Sequence, residues 1–240
     1  MNVLTRLWDQ VYASQPAPPA WVVGVTALAA LLLVLNTASW RMAGKVITIA
    51  HEGGHALVSV LSGRRLEGIR LHTDSSGVTY SRGKRRGPGM VLTAAAGYVT
   101  PPLLGAGAAA LLAARHPAAL LWLALVLLAA TFLAVRNAFG ALAVLVTAAG
   151  VFAVSYYASA AVQGGFAYLA AWFLLLGGMR PALELTRRRR GSRSRSSSRS
   201  GLSDADQLAR LTGVSRGVWV TAFVLIATAA LALGARLLIP

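Results

Sequence analysis

The chain has 240 residues, is 56% hydrophobic and only 12% charged, and has a mean hydropathy of +0.62. Soluble domains carry about 25% charged residues, so an ordinary water-soluble globule is excluded, as is disorder over most of the length. The formal charge is +16, from 23 basic and 7 acidic residues, and there is no cysteine, which excludes disulfides, thiolate metal sites and cysteine nucleophiles and leaves the redox compartment open.

A membrane-spanning helix needs roughly 20 apolar residues. Residues 1–19 come first and lack an apolar run long enough for a secretory signal. Val3, Leu4, Leu7, Trp8, Val11 and Tyr12 recur at helical spacing before Pro16, Pro18 and Pro19, which suits a short interfacial helix. Seven apolar runs follow, at about 20–40, 46–62, 90–114, 118–135, 138–162, 165–179 and 217–238. The second is short and holds two histidines and a glutamate. The sixth begins at Gly164-Gly165, so six spans remain an alternative to seven.

Two connections have features of their own. Residues 66–82, LEGIRLHTDSSGVTYSR, read as two short strands about the turn Asp74-Ser75-Ser76-Gly77, within a loop over 63–89. Residues 187–201, RRRRGSRSRSSSRSG, are basic and serine-rich and predict a disordered loop. Anionic lipid headgroups are the partner expected there, and nucleic acid is not. The fold class expected is an all-α polytopic membrane protein of about seven (six to seven) transmembrane helices with a small cytoplasmic β-hairpin. With seven spans and a cytoplasmic N-terminus, 19 of the 23 basic residues fall on the cytoplasmic side, as the positive-inside rule requires. The C-terminus is then outside.

One motif carries chemistry. His51-Glu52-Gly53-Gly54-His55 matches His-Glu-x-x-His and lies inside the apolar run VITIAHEGGHALVSVL. Residues four apart share a helix face, so His51 and His55 can turn their nitrogens to one Zn²⁺ ion, with Glu52 beside them to take a proton from water. Each ionisable residue at such depth costs several kcal/mol unless paired or coordinated, which argues against an inert role for all three. Gly53 and Gly54 suit close approach, by a neighbouring helix or by substrate backbone.

A catalytic zinc takes three protein ligands and keeps a fourth position open. The remaining donors are Asp9, Glu67, His72, Asp74, His116, Glu184, Asp204 and Asp206. His116 falls on the opposite side of the membrane in this topology, and Glu184 has Arg180 and Arg187–Arg188 for partners. Ser203 is suited to cap a helix starting at Asp204, and acids in a first turn are ordinary dipole partners. The need for a third ligand raises Asp204 and Asp206 above the others. Asp204 has to dip into the bilayer to reach His55, so the last helix must begin earlier than hydropathy suggests.

An intramembrane His-Glu-x-x-His, a following hairpin, a glycine-rich span and a late aspartate resemble the site-2 protease family of zinc metalloproteases, in its compact bacterial form without a PDZ domain. Ala94-Ala95-Ala96-Gly97, followed by Pro101, is similar to that family's alanine-glycine-proline stretch. The resemblance implies that His51 and His55 are zinc ligands and Glu52 the catalytic glutamate. The family's third ligand lies in Leu-Asp-Gly, which this chain lacks; Ser203-Asp204-Ala205 is its nearest match, which implies Asp204, with Asp206 in reserve. The family's Asn-x-x-Pro is also absent, and Asn137, beside Arg136, reads as a helix cap.

The resemblance further implies a single integral-membrane metalloprotease domain over 20–240, located in a bacterial cell membrane. Its substrate is a membrane-anchored protein, cut in regulated intramembrane proteolysis or signal-peptide remnant removal. A helical substrate must unwind locally, and an exposed strand can accept the unwound segment; the hairpin residues Ile69, Leu71, Val78 and Tyr80 are the ones expected to present it. Other readings are a CaaX-type membrane protease with Glu184 as ligand, an inactive scaffold or adaptor keeping the metal motif, and a transporter with spans broken at Gly97–Pro102. No inverted repeat supports the last.

Overall fold

The computed structural model describes residues 14–191 and 203–239. The helix expected over 3–12 and residues 192–201 of the basic loop lie outside the described residues. Eight helices and one hairpin follow in order: α1 (Ala20–Leu35), α2 (Thr37–Leu61), β1 (Arg65–Leu71), β2 (Gly77–Arg82), α3 (Pro88–Ala113), α4 (Pro117–Ala134), α5 (Ala138–Tyr157), α6 (Ala160–Gly191), α7 (Asp204–Thr212) and α8 (Arg216–Leu238). Five helices are long and apolar enough to cross a membrane (α3, α4, α5, α6 and α8), and six spans result if the bent pair α1–α2 counts as one.

The seven-span expectation differs at that pair. Hydropathy places a connection at 41–45, where Arg41 and Lys45 interrupt the apolar run. The chain instead breaks at Asn36, where α1 and α2 meet at 101°, and residues 41–45 lie inside α2. The cause is capping. The Asn36 side chain accepts from the amides of Ala38 (2.9 Å) and Ser39 (3.0 Å), which starts a new helix. The end of α1 is bound by α6: the Arg180 guanidinium donates to the Val34 carbonyl, lies 4.5 Å from the Trp40 ring centroid and pairs with Glu184. A cation at this depth thus has a carbonyl, a ring face and a carboxylate as partners.

Helix α3 is the central element, packed on α2, α6, α7 and α8. Apolar burial drives helix association weakly in lipid, so close packing of small residues matters more. Gly178 of α6 has no room for a Cβ against Pro101 and Pro102, and Gly105 of α3 has none against Leu175. Gly54 of α2 lies so close to Thr100 that a Cβ would overlap the threonine side chain. Neighbouring-helix approach is therefore the use of Gly54.

The hairpin forms where expected, one residue longer at its start. Arg65 pairs with Arg82 and Leu71 with Gly77, with a bulge between Leu66 and Gly68. In the turn, Asp74 accepts from the Ser76 hydroxyl and amide, which hold its carboxyl below the usual range. The outer edge of β1 is occupied. Ile69 bridges Val135, its carbonyl accepts from the Arg136 amide at 2.8 Å, and the Asn137 amide group bonds both the N–H (3.1 Å) and the C=O (2.7 Å) of Leu71. Asn137 precedes α5 but makes no side-chain cap; the expected cap is instead a clamp on β1. Ile69 and Leu71 are buried in a cluster with Val135 and Val144, whereas Val78 and Tyr80 are exposed on β2.

Helix α6 runs well past the expected 165–179. Its last five residues belong to the stretch expected to be a loop from 187. The last helix does not begin earlier than hydropathy suggests: α8 starts at Arg216, and Asp204 is carried by the separate helix α7, which Gly213, at φ 73°, closes in the left-handed conformation. Ala205 and Leu208 seat it among Ala94, Ala182, Leu185, Val220 and Phe223. The Asn137→Ala variant strands two backbone groups of β1 and is expected to cost about 1–3 kcal/mol, read as a lower melting temperature in detergent and faster proteolysis within 63–87.

Candidate metal centre

The local sequence explains how the donors meet. His51 and His55 sit one turn apart on α2, with their rings edge-on at 4.8 Å between centroids. Asp204 is the first residue of α7, after Ser203, whose hydroxyl accepts from the Asp206 amide while the Asp206 carboxylate accepts from the Ser203 amide. This capping box fixes the start of α7, and the apolar seat of Ala205 and Leu208 directs Asp204 to α2. The His51 and His55 Nε2 atoms are 3.2 Å apart, and each is 3.1 Å from Asp204 Oδ2.

These separations suit one ion. Four ligands at 2.0–2.1 Å around a tetrahedral zinc are about 3.3 Å from one another, close to all three observed spacings. The side chains hold further support. His55 Nδ1 lies 2.6 Å from the Thr93 carbonyl. A carbonyl only accepts, so Nδ1 carries a proton, and in the neutral ring Nε2 is then the nitrogen with a lone pair for an ion. Gly97 faces both rings, and a Cβ there would overlap both Nε2 atoms. His55 is 10% exposed at its side chain, but His51 and Asp204 keep 18% and 20%, so the centre opens on their side. Tyr98 meets the His51 ring edge-on at 4.9 Å and stacks on Phe223.

Glu52 is buried beside this cluster, 4% exposed. Its Oε2 accepts from the Thr79 hydroxyl of β2 at 2.7 Å. Every other acidic or histidine candidate among the described residues lies elsewhere. Glu67 pairs with Arg82, Glu184 with Arg180, and Asp206 with Arg216. His72 and Asp74 contact Ser76 in the hairpin turn, and His116 precedes α4. Asp9 lies outside the described residues. Among those described, His51, His55 and Asp204 form a group able to hold a metal ion. Sequence reasoning missed Thr79, Thr93 and Tyr98. Thr93 acts through its backbone, which leaves no mark in the sequence, and the Thr79 contact exists only once β2 is folded over α2.

With this geometry in place, the chain can be assigned to a class of protein. It belongs to the Peptidase M50B-like family, a site-2 protease family, whose model matches residues 24–234. No curated protein and no solved structure matches it. Membership implies an intramembrane metallopeptidase, and the apolar helices agree with an integral membrane protein.

Gly97→Ala is expected to push the imidazoles apart and lower zinc affinity by at least 10-fold, with the fold retained. Competition with a fluorescent zinc chelator checks the affinity, and circular dichroism checks the helices. Wild-type affinity would show that the glycine is not needed for the histidine geometry.

Proposed function

We propose that this protein is a zinc-dependent intramembrane endopeptidase that hydrolyses peptide bonds of membrane-anchored proteins. The observation that carries the reading is the convergence of His51, His55 and Asp204 at tetrahedral spacing next to a buried Glu52. Zinc held by these three residues would supply Lewis acidity toward the scissile carbonyl and a water molecule acidic enough to lose a proton near neutral pH. Glu52 takes that proton and passes it to the leaving amine. Thr93 keeps His55 in the tautomer that can bind the ion. Asp204 contributes the anionic ligand in place of the aspartate of Leu-Asp-Gly.

The hairpin offers one edge to substrate. The β1 edge is taken by residues 135–137, whereas β2 carries the exposed Val78 and Tyr80. An unwound substrate segment pairs there through its backbone. Ile69 and Leu71 anchor the hairpin from beneath. In this reading, the end of the bundle bearing the hairpin, Arg136 and α7 is cytoplasmic. The contact between β1 and residues 135–137 supports placing the basic 63–87 loop and Arg136 together. The Glu184 reading of the third ligand loses support, since that carboxylate pairs with Arg180.

In purified protein with a single-span substrate, Glu52→Gln is expected to retain one zinc and lose at least about 100-fold in cleavage rate, the lower range for a general base. Equal cleavage by that variant would refute the mechanism. Asp204→Asn is expected to lose zinc and activity together, whereas Glu184→Gln keeps its zinc. Metal content by mass spectrometry separates these cases.

A further inference from the structure

The mechanism leaves one contact unused, that between strand β2 and Glu52. A buried carboxylate needs polar partners, and Thr79 donates to Glu52 Oε2 at 2.7 Å, with the Glu52 backbone carbonyl a longer alternative at 3.1 Å. A hydroxyl has one proton, and the shorter, charge-assisted bond takes precedence. Two residues earlier, Gly77 lies against the same side chain. A Cβ there would overlap Glu52 Cγ, Cδ and Oε1. The side chains of a strand alternate, and β2 uses both faces: Gly77 and Thr79 are turned to Glu52, while Val78 and Tyr80 are exposed.

The strand that makes these contacts is itself fixed. The Thr48 hydroxyl of α2 donates to the Ser75 carbonyl at 2.9 Å, just before β2. Thr79 lies opposite Ile69, which is fully buried and joined to Val135 and Arg136. A chain of backbone pairing therefore runs from the α4–α5 link through β1 to the Thr79 hydroxyl.

We propose that Thr79 is a positioning residue for Glu52, so that β2 sets the carboxylate of the base with one face while its edge accepts substrate. This rests on the reading of Glu52 as the general base. The fixed strand thus holds the carboxylate in one orientation while its outer edge stays available to a substrate segment.

The test compares wild type, Thr79→Val, Thr79→Ser and Glu52→Gln in the full chain. Thr79→Val is expected to keep its zinc and its KM for a single-span substrate while kcat falls about 10- to 100-fold, the scale of a misplaced catalytic group. Thr79→Ser restores the hydroxyl and kcat. A second readout needs no turnover. The chain has three glutamates, so with ¹³C-labelled glutamate the infrared carboxylate band missing from Glu52→Gln belongs to Glu52. That band moves in Thr79→Val and returns in Thr79→Ser. An unmoved band, a loss carried by KM alone, or a serine variant that restores neither readout overturns the proposal. A band that moves and returns in protein that cleaves nothing supports the positioning role and defeats the peptidase reading instead.

Discussion

The structure depends on a carboxylate held between two imidazoles inside an apolar bundle. Asp204 reaches His51 and His55 at 3.1 Å each. None of the three would be stable at such depth by itself. Much of the surrounding packing serves their meeting. Gly97 gives the rings space, the Thr93 carbonyl sets one tautomer, and the apolar seat of α7 delivers the aspartate. A side chain on α3 at position 97 would occupy the space that the two imidazoles need.

A second constraint is the hairpin's attachment. A two-stranded hairpin is marginal when isolated. Here one edge is saturated by the link between two helices, with the Asn137 amide standing in for a strand residue. The hairpin gains a fixed height over α2, and its free edge is the one next to Glu52.

What the sequence discloses depends on the range of the interaction. His51, Glu52 and His55 are legible because four-residue spacing and an apolar setting are local. The hairpin is legible from its turn residues, and Ser203 as a cap from its place just before Asp204. The break at Asn36 was within reach as well: Asn36-Thr37-Ala38-Ser39 is a capping sequence, but hydropathy weighs Arg41 and Lys45 more heavily. It cannot register that Lys45 bonds the Arg41 carbonyl at 2.9 Å along the helix. Beside Arg136, Asn137 reads as a helix cap, whereas its partner is Leu71, 66 residues away. The Thr79 contact was out of reach for the same reason.

The third ligand lies 149 residues after His55. The helix bearing it rests on Ala94 of α3, Ala182 and Leu185 of α6, and Val220 and Phe223 of α8. A growing polypeptide therefore carries its two imidazoles through 149 further residues of synthesis before Asp204 follows. Part of the seat of α7 comes later still, with α8. The order of translation thus keeps the carboxylate away from the imidazoles until the helices on either side of α7 have been made.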